Sequence, residues 1–303
     1  MTRIRRSFMM TPLLDDYKVS RAANCAVDIV VLDLEDGIHP DRKVEARTRV
    51  VELLHSVDWH GKGVVVRVNA MRSPAAREDI LAVAPACPTA IWLPKVDAAD
   101  EIEEAQKIID ECPDAELVKL WGLIESAKGL VNVEQIAAVP GRLEALVLGP
   151  GDLGADLGLN VRRYTMSGDK GFREEILYAQ SKLVAACRAF GISPMTGTPT
   201  ILRDAEGAEY EARYLLRLGF ETICAFTPAM VDAVHRAFMP EPEDLEWAES
   251  VLAVRSEKEA ESSTVGVVDG SMVDGPFFRG AQQIVARAEA VRAGSPSAST
   301  PAS

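Results

Sequence analysis

The sequence predicts a (β/α)8 barrel, a TIM barrel in the α/β class, with a C-terminal extension. Eight short apolar runs alternate with segments of helical periodicity between residues 6 and 238, which is typical of parallel strands joined by helices. The length of 303 residues suits a barrel of about 250 residues with an appendage. No break in composition divides the eight units, and no GxGxxG motif follows the first run. A closed barrel is therefore favoured over an open nucleotide-binding sheet.

The elements follow from composition and spacing. The run DIVVLDL is almost continuously apolar, as expected of a parallel strand buried on both faces. Gly191 and Gly219 come directly after two helical segments, where glycine commonly ends a helix. The predicted strands are 6–11, 28–34, 63–69, 90–96, 119–124, 145–148, 192–197 and 222–226. The predicted helices are 17–26, 43–54, 78–83, 98–111, 129–137, 172–190, 205–218 and 229–238.

Composition changes after the eighth unit and defines the predicted domain organisation. Residues 1–240 form the catalytic barrel, 241–264 a helix and a polar linker, 265–293 a C-terminal capping segment and 294–303 a disordered tail. A capping segment this short cannot bury an apolar face of its own. We therefore expect it to pack on the barrel or on a neighbouring subunit.

Charge and cysteine usage exclude several function classes. The net charge of −13 argues against nucleic acid or an anionic membrane surface as the main partner. No apolar run approaches the length of a membrane span, and the N-terminal apolar run is too short for a signal peptide. The five cysteines have no CxxC spacing and are expected to be free, buried thiols in a reducing compartment. These features predict a cytoplasmic protein.

Two carboxylates at predicted strand ends suggest a metal site. Glu125 follows the apolar run 119–124, and Asp152 follows the run 145–148. Active sites of such barrels lie at the C-terminal ends of the strands, and Mg²⁺ prefers carboxylate oxygens. For each residue alone, a structural role is favoured, as a helix N-terminal charge for Glu125 and as a turn or cap residue for Asp152. Together they favour Mg²⁺.

Five further polar residues lie at the same predicted end of the barrel: Glu35, Asp36, Arg67, Asn69 and Lys95. A 2-oxo acid chelates Mg²⁺, and the guanidinium of Arg67 suits its carboxylate as a two-pronged donor. The alternative is structural, with Arg67 paired to Asp36 and Lys95 paired to Glu125. No Ser-His-Asp or Cys-His set is present, which disfavours a protein nucleophile.

The ordered motifs of the chain resemble a known family between about residues 5 and 290. The motifs are RRS (5–7), LDLEDG (32–37), RVN (67–69), LPKV (93–96), IESAKGL (124–130), GPGDL (149–153) and GSMVDGP (270–276). They resemble those of citrate lyase β-subunit-like proteins and malyl-CoA lyases of the HpcH/HpaI aldolase and citrate lyase superfamily. That resemblance implies a homotrimeric or hexameric barrel enzyme that uses Mg²⁺ to cleave or form acyl-CoA thioesters.

The resemblance also implies roles for individual residues. Glu125 and Asp152 would be the metal ligands, and Arg67 would bind the substrate carboxylate. Glu35 and Asp36 would be supporting or water-binding acids. Asp274 would be an acid/base that a neighbouring subunit offers to the site. Substrate binding is assigned to residues within the same motifs: Arg6, Arg67, Asn69, Lys95 and Gly151.

Two positions depart from the family pattern. Ile223 and Thr227 stand where the family often has Lys and His, at the side expected to hold CoA. The main hypothesis is a Mg²⁺-dependent lyase that splits a 3-hydroxyacyl-CoA, such as malyl-CoA or citramalyl-CoA, into a 2-oxo acid and an acyl-CoA. Hydrolysis of the thioester, in addition to carbon–carbon cleavage, is left open by the sequence. One alternative is a CoA-independent aldolase acting on a free hydroxy-oxo acid, and the other is a non-catalytic barrel subunit.

Overall fold

The structure, a computed structural model, describes residues 4–166, 170–171, 173–197, 203–260 and 265–294. The chain divides into two compact units. We call Arg5–Val234 the barrel unit, and His235–Ser303 with Met1–Ile4 the tail unit. The boundary between them falls inside one helix, so each unit is described by itself.

Eight parallel strands close the barrel in the order of the chain, which confirms the predicted fold class. The strands are β1 (Ser7–Thr11), β2 (Ile29–Asp33), β3 (Gly63–Arg67), β4 (Ala90–Leu93), β5 (Lys119–Ile124), β6 (Leu143–Leu148), β7 (Ser193–Gly197) and β8 (Thr222–Cys224). Strand β1 pairs with both β2 and β8, so no edge stays open. Four predicted strands end early in the structure. The two that matter for the site are 63–69 and 90–96, which end at Arg67 and Leu93, so Asn69 and Lys95 lie in loops.

Helices connect successive strands of the barrel unit. They are α1 (Asp16–Asn24), α2 (Lys43–Ser56), α3 (Ala75–Val83), α4 (Ala99–Asp110), α5 (Ala127–Val131), α6 (Val133–Ala137), α7 (Pro150–Asp156), α8 (Leu177–Phe190), α9 (Ala205–Leu218) and α10 (Pro228–Phe238). The predicted helix 129–137 is two short helices that meet at Asn132. The predicted helix 172–190 begins only at Leu177. Helices α8 and α9 end at Gly191 and Gly219 in left-handed conformations.

The barrel interior is packed with apolar side chains that alternate along the strands. Phe8, Trp92 and Trp121 meet there in edge-to-face pairs, with ring centroids 5.6–6.3 Å apart. Ile29 and Val31 of β2 and Ala145 and Val147 of β6 belong to the same cluster. Side chains alternate between the two faces of a strand. The next inward positions at the carboxyl ends are therefore Asp33 on β2 and, just past β6, Gly149.

The tail unit has its own small core. Helix α11 (Pro242–Ala260) and helix α12 (Gly275–Gly294) flank an antiparallel hairpin of β9 (Gly266–Val268) and β10 (Ser271–Val273). Ala248, Val251, Val273, Phe278 and Ala281 are buried together. Helix α11 continues five residues into the stretch predicted as a linker, because Glu, Lys and Ala are strong helix formers despite their polarity. Residues 261–264 and 295–303 lie outside the described residues.

Among the described residues, every helix is too short or too polar to cross a lipid bilayer.

Candidate active site

A cavity of about 400 Å³ opens at the carboxyl end of the barrel. Its polar lining includes Asp33, Arg67 and Asp152. Much of the rest is apolar, from strand residues such as Met10 and Leu123. Because this is the end where barrel enzymes place their chemistry, the cavity is the candidate active site.

Glu125 is placed by the junction between β5 and α5. Ser126 caps α5, since its hydroxyl accepts a hydrogen bond from the Gly129 N–H at 2.9 Å. A side chain at Gly129 would put a Cβ 2.4 Å from the Val96 carbonyl oxygen, so glycine is needed where α5 meets the loop after β4. This close packing fixes the turn that carries Glu125 into the site, where it is 6% exposed.

Gly149 brings the end of β6 against Glu125. A Cβ at Gly149 would lie 2.8 Å from the Glu125 Cβ, closer than two such carbons approach in proteins. Pro150 then starts α7, which carries Asp152 in its first turn. Burial of Glu125, followed by the negative charges of Asp152 and Glu35, raises the pKa of Glu125 to about 8. Glu125 and Asp152 are therefore close enough to share a hydrogen bond, which favours the protonated form of Glu125.

Lys95 links the acids of two strand ends. Its backbone is left-handed, with φ of 54°, which is uncommon outside glycine. Its N–H donates to Glu125 Oε1 at 3.0 Å, and its Nζ donates to Glu35 Oε1 at 2.6 Å. Nζ also contacts Asp36 at 3.3 Å. The sequence suggested that Lys95 pairs with Glu125. In the structure this contact is made by the Lys95 backbone N–H, whereas the Lys95 side chain binds Glu35.

Arg67 is held by Asp33, which the sequence analysis did not single out. Arg67 Nε donates to Asp33 Oδ1 at 2.7 Å, and an Nη2 hydrogen is donated to Asp33 Oδ2 at 2.8 Å. The Asp33 carboxylate also accepts from the N–H groups of Glu35 and Gly37. Arg67 Nη1 lies 3.3 Å from Glu35 Oε2. Asp33 therefore orients both Arg67 and the loop that carries Glu35. The alternative prediction, in which Arg67 pairs with Asp36, is wrong.

We expect Asp33→Asn to lower the free energy of unfolding at pH 7 by about 3 kcal/mol, because it removes the two-pronged ionised partner of a buried guanidinium and leaves only the Glu35 contact at 3.3 Å. Burial raises the pKa of Asp33, but the hydrogen bonds and charge of Arg67 outweigh this and hold it below 3.8. This stabilisation is present above the unfolded pKa and is lost as pH falls through the lower folded pKa.

Urea unfolding of both proteins at several pH values measures the effect. The difference in free energy should be constant near neutrality and shrink only below about pH 4. The exposed neighbour Asp36→Asn is the control and should change stability by less than about 1 kcal/mol. Equal stability of wild type and Asp33→Asn at pH 7 would contradict the orienting role of Asp33.

Glu125 and Asp152 form no salt bridge with any described residue. The same part of the chain holds no cluster of three or more His, Cys, Asp or Glu side chains suited to a metal. Mg²⁺ commonly binds through one or two carboxylates and completes its shell with water or substrate oxygens. Glu125 and Asp152 fit this way of binding Mg²⁺, because neither carboxylate is in a salt bridge with a described residue and the pKa of Glu125 is raised.

The family model described as HpcH/HpaI aldolase/citrate lyase matches residues 6–228. The chain belongs to this family. The match covers all eight strands of the barrel, and the resemblance drawn from the motifs is confirmed.

Individual members of the aldolase/citrate lyase family are similar over nearly the whole chain. The (3S)-malyl-CoA thioesterase of Cereibacter sphaeroides is 31% identical over 95% of this chain and 96% of its own. The L-malyl-CoA/beta-methylmalyl-CoA lyase of Rhodobacter capsulatus is 31% identical over 95% of each. CitE from Mycobacterium tuberculosis, crystallised with magnesium, acetoacetate and coenzyme A, superposes with a TM-score of 0.79. It is 29% identical over 94% of this chain and 98% of its own.

Two residues assigned to substrate binding, Arg6 and Asn69, are not among the residues that line the cavity. Arg6 precedes β1 and binds Asp28, which precedes β2, through two hydrogen bonds of 2.9 and 3.0 Å. Both residues are buried at the opposite end of the barrel, so the assignment of Arg6 is wrong. Asn69 is buried and does not line the cavity. The side-chain amide of Asn69 donates to the Leu34 carbonyl and to the Asp79 carboxylate, and it accepts from the Lys43 ammonium. These hydrogen bonds give Asn69 a structural role.

Other assigned residues fall into three places. Arg67, Gly151 and Asp152 line the cavity. Ile223, where the family pattern has Lys, is completely buried and alternates with the inward-facing Cys224. The departure at Ile223 therefore removes no side chain from the barrel mouth. Asp274 lies in the tail unit, and its Oδ1 is buried without a hydrogen-bond partner among the described residues.

Two cavity residues had no signal in the sequence analysis. Tyr164 comes from the short 3-10 helix Val161–Thr165, which has no periodicity to predict it. Phe226 follows β8 and was included only as the end of a strand. For Asp33 a signal existed: it lies two residues beyond the inward-facing Val31. The continuous apolar run around it hid which face of the strand points inward.

Proposed function

We propose that this chain is a Mg²⁺-dependent carbon–carbon lyase. It would cleave a 3-hydroxyacyl-CoA thioester to a 2-oxo acid and an acyl-CoA, or catalyse the reverse condensation. The observation that supports this most is the pair Glu125 and Asp152, which form no salt bridge among the described residues. Asp152 lines the cavity with Arg67, and the charges of Asp152 and Arg67 both act on Glu125. The chain that carries them is 31% identical to an L-malyl-CoA/beta-methylmalyl-CoA lyase over almost its full length.

Glu125 and Asp152 would hold the metal, with Glu35 and Asp36 as supporting acids. The buried Glu35 Oε2 accepts no hydrogen bond from the described residues and lies 3.3 Å from Arg67 Nη1, so it could still accept a hydrogen bond from a metal-bound water. The bound ion supplies Lewis-acid stabilisation of negative charge on the substrate oxygens. Comparison favours Mg²⁺, since CitE of M. tuberculosis was crystallised with magnesium and acetoacetate.

The chain's own residues would bind and orient the substrate. Arg67 uses Nε and one Nη2 hydrogen for Asp33, and its Nη1 group lies 3.3 Å from Glu35 Oε2. A second Nη1 hydrogen would bind the carboxylate of the 2-oxo acid. Lys95 keeps Glu125 and Glu35 at fixed positions. Cleavage breaks the carbon–carbon bond and leaves its electron pair on the thioester α-carbon, while the hydroxyl loses its proton and becomes the keto group. The α-carbon then gains a proton, so the net change is the transfer of one proton from the hydroxyl to this carbon. Asp274 would deliver that proton through Oδ1.

We further propose a homotrimer or hexamer in which the capping segment of one subunit reaches the barrel of another. The outward residues Val267 and Met272 of the tail hairpin face each other across β9 and β10 and are 65% and 61% exposed. An exposed apolar pair of this kind suits a subunit contact. The five cysteines are all free, but only Cys187 and Cys224 are buried, while Cys25 and Cys112 are half-buried and Cys87 is exposed. Free thiols suit a cytoplasmic setting.

Mass-spectrometric product analysis of a substrate panel tests the proposed function. The panel contains malyl-CoA, methylmalyl-CoA, citramalyl-CoA and free 4-hydroxy-2-oxo acids, each with Mg²⁺ and with chelator as the control. We expect an acyl-CoA and a 2-oxo acid, formed only with Mg²⁺. Turnover restricted to the free acids would replace the proposal with the CoA-independent aldolase, and no turnover or Mg²⁺ binding would favour a non-catalytic subunit.

Thioesterase activity is a second candidate, because the similarity to the (3S)-malyl-CoA thioesterase of C. sphaeroides is equally high. The same analysis separates the two. Release of free CoA together with the intact hydroxy acid identifies hydrolysis of the thioester, whereas release of an acyl-CoA identifies carbon–carbon cleavage.

A further inference from the structure

Lys43 begins α2 and contacts the loop that carries Glu35. Its ammonium donates to the Leu34 carbonyl at 2.6 Å, to the Glu35 carbonyl at 2.7 Å and to Asn69 Oδ1 at 2.9 Å. An ammonium has three hydrogens, so these acceptors use all of them. Lys43 is half-buried and is not among the residues that line the cavity. Its contacts are therefore with the loop of an active-site acid and not with the cavity itself.

The position of Lys43 is unfavourable for the helix that it begins. A positive charge in the first turn of a helix opposes the macrodipole, and Lys43 is the first residue of α2. Burial also lowers the pKa of Lys43, while the charges of nearby acids act in the opposite direction, that of Asp33 most strongly. A lysine at this point of the chain is therefore better explained by its contacts with the loop after β2 than by helix formation.

The backbone of Glu35 is held on both sides of its Cα. Its N–H donates to Asp33 Oδ1 at 2.9 Å, and its carbonyl accepts from Lys43 Nζ at 2.7 Å. The Glu35 side chain is 5% exposed and lies 2.6 Å from Lys95 Nζ and 3.3 Å from Arg67 Nη1. Because the backbone sets the direction of a buried side chain, loss of the Lys43 ammonium would remove one of two constraints on the Glu35 carboxylate.

Lys43 also joins the loop after β2 to the loop after β3. Asn69 accepts from Lys43 and donates through Nδ2 to the Leu34 carbonyl at 3.2 Å. The Leu34 N–H in turn donates to the Arg67 carbonyl at 2.8 Å. The Lys43 ammonium therefore lies at the point where the loop of Glu35 meets the loop that follows Arg67.

We propose that Lys43 is a positioning residue of the active site, which holds Glu35 where its carboxylate accepts a hydrogen bond from a metal-bound water. This inference rests on the proposed function, in which Glu35 supports Mg²⁺ binding by Glu125 and Asp152. Lys43 itself touches neither substrate nor metal. Its removal weakens Mg²⁺ binding and turnover through Glu35, and it leaves the KM for the thioester nearly unchanged.

Lys43→Met tests this role, because it removes the ammonium and keeps a long side chain. Calorimetric titration of the full chain with Mg²⁺ alone should show a dissociation constant about tenfold higher, as when a residue that orients the surroundings of a metal is lost. At saturating Mg²⁺, kcat should fall about tenfold and KM should change less than about twofold. Lys62→Met is the matched control, because Lys62 is also half-buried and donates to the Ala23 carbonyl at 2.8 Å, before β3 at the opposite end of the barrel.

A double-mutant cycle with Glu35→Ala separates positioning from a general loss of structure. Without the Glu35 side chain, Lys43 has no carboxylate to position, so Lys43→Met should weaken Mg²⁺ binding by less than about a further twofold. Equal weakening in both backgrounds, or unchanged Mg²⁺ affinity in Lys43→Met, would overturn the inference. If Lys43→Met does not fold, Lys43→Gln, which keeps amide donors, takes its place in both measurements with the same expected direction.

The outcome is separable from that of the proposed function. Mg²⁺ binding by the wild type without turnover of any thioester, together with weaker binding in Lys43→Met, would keep the positioning role and reject the lyase. Efficient turnover of a thioester by the wild type, with unchanged Mg²⁺ binding and kcat in Lys43→Met, would keep the lyase and reject the positioning role.

Discussion

Glu125→Gln is expected to abolish turnover while the protein stays folded. The substitution removes one of two carboxylate ligands, and we expect kcat to fall on the order of a thousandfold, as when a preorganised charge-stabilising group is lost. Isothermal titration should show weaker Mg²⁺ binding, independently of any substrate. Gln keeps an oxygen that can accept from the Lys95 N–H, which donates to Glu125 Oε1 at 3.0 Å.

The stability of the Glu125→Gln variant separates a metal role from a structural one. With the pKa of Glu125 near 8 in the protein without metal, its side chain is mostly neutral at pH 7. Gln therefore resembles the form already present, and the melting temperature without Mg²⁺ should not fall. Glu134→Gln, the same change on an exposed position of α6, is the control for activity and metal binding. Full activity in Glu125→Gln would contradict the metal assignment, and a large loss of stability would point to a structural role.

The fold could be predicted because each buried parallel strand gives a short, largely apolar run in the sequence. The run 120–124 has no charged residue, since both faces of β5 after Lys119 are buried between the barrel interior and the helices. Strand ends were placed less well, because the apolar run around β4 continues past the last strand hydrogen bonds. Lys95 was consequently placed at a strand end, although it lies in a loop with left-handed backbone.

The candidate site could be predicted where spacing from a strand was enough. Glu125 and Asp152 follow β5 and β6, and both reach the barrel mouth. Arg6 shows the limit of that reasoning, because a basic residue next to a strand can lie at either end of it. The direction of the chain places Arg6 before β1, where Asp28 neutralises it. The pairing of Asp33 with Arg67 depends on strand register, which no local pattern in one sequence reveals.

Asp274→Asn is expected to lower turnover by about a hundredfold or more, because the proposed acid/base can no longer donate a proton. The fold should tolerate the change. Asp274 precedes α12, and its carbonyl accepts from the Phe278 N–H at 3.0 Å. Asn caps helices as well as Asp does. Asp269→Asn, an exposed position in the same hairpin with φ of 48°, is the control, since Asn accepts left-handed backbone readily.

Mixing Asp274→Asn with Arg67→Ala tests whether the site is shared between subunits. Each variant alone should be nearly inactive. If the capping segment acts on a neighbouring barrel, a barrel with Arg67 intact can meet a tail with Asp274 intact in a mixed assembly. Random mixing in a cyclic trimer then restores about a quarter of the sites. If Asp274 serves its own barrel, no subunit carries both intact residues and no activity returns.

Native mass spectrometry of differently tagged variants shows whether mixed assemblies have formed. Only then does a lack of activity count against a shared site. Recovery of activity in proportion to the mixed assemblies would establish that the acid/base is supplied in trans and would explain why the buried Asp274 Oδ1 lacks a hydrogen-bond partner among the described residues. Mixed assemblies without recovery would contradict a shared site. Full activity of Asp274→Asn by itself would remove the acid/base from the proposal, because no neighbouring carboxylate in the tail motif could take over its position.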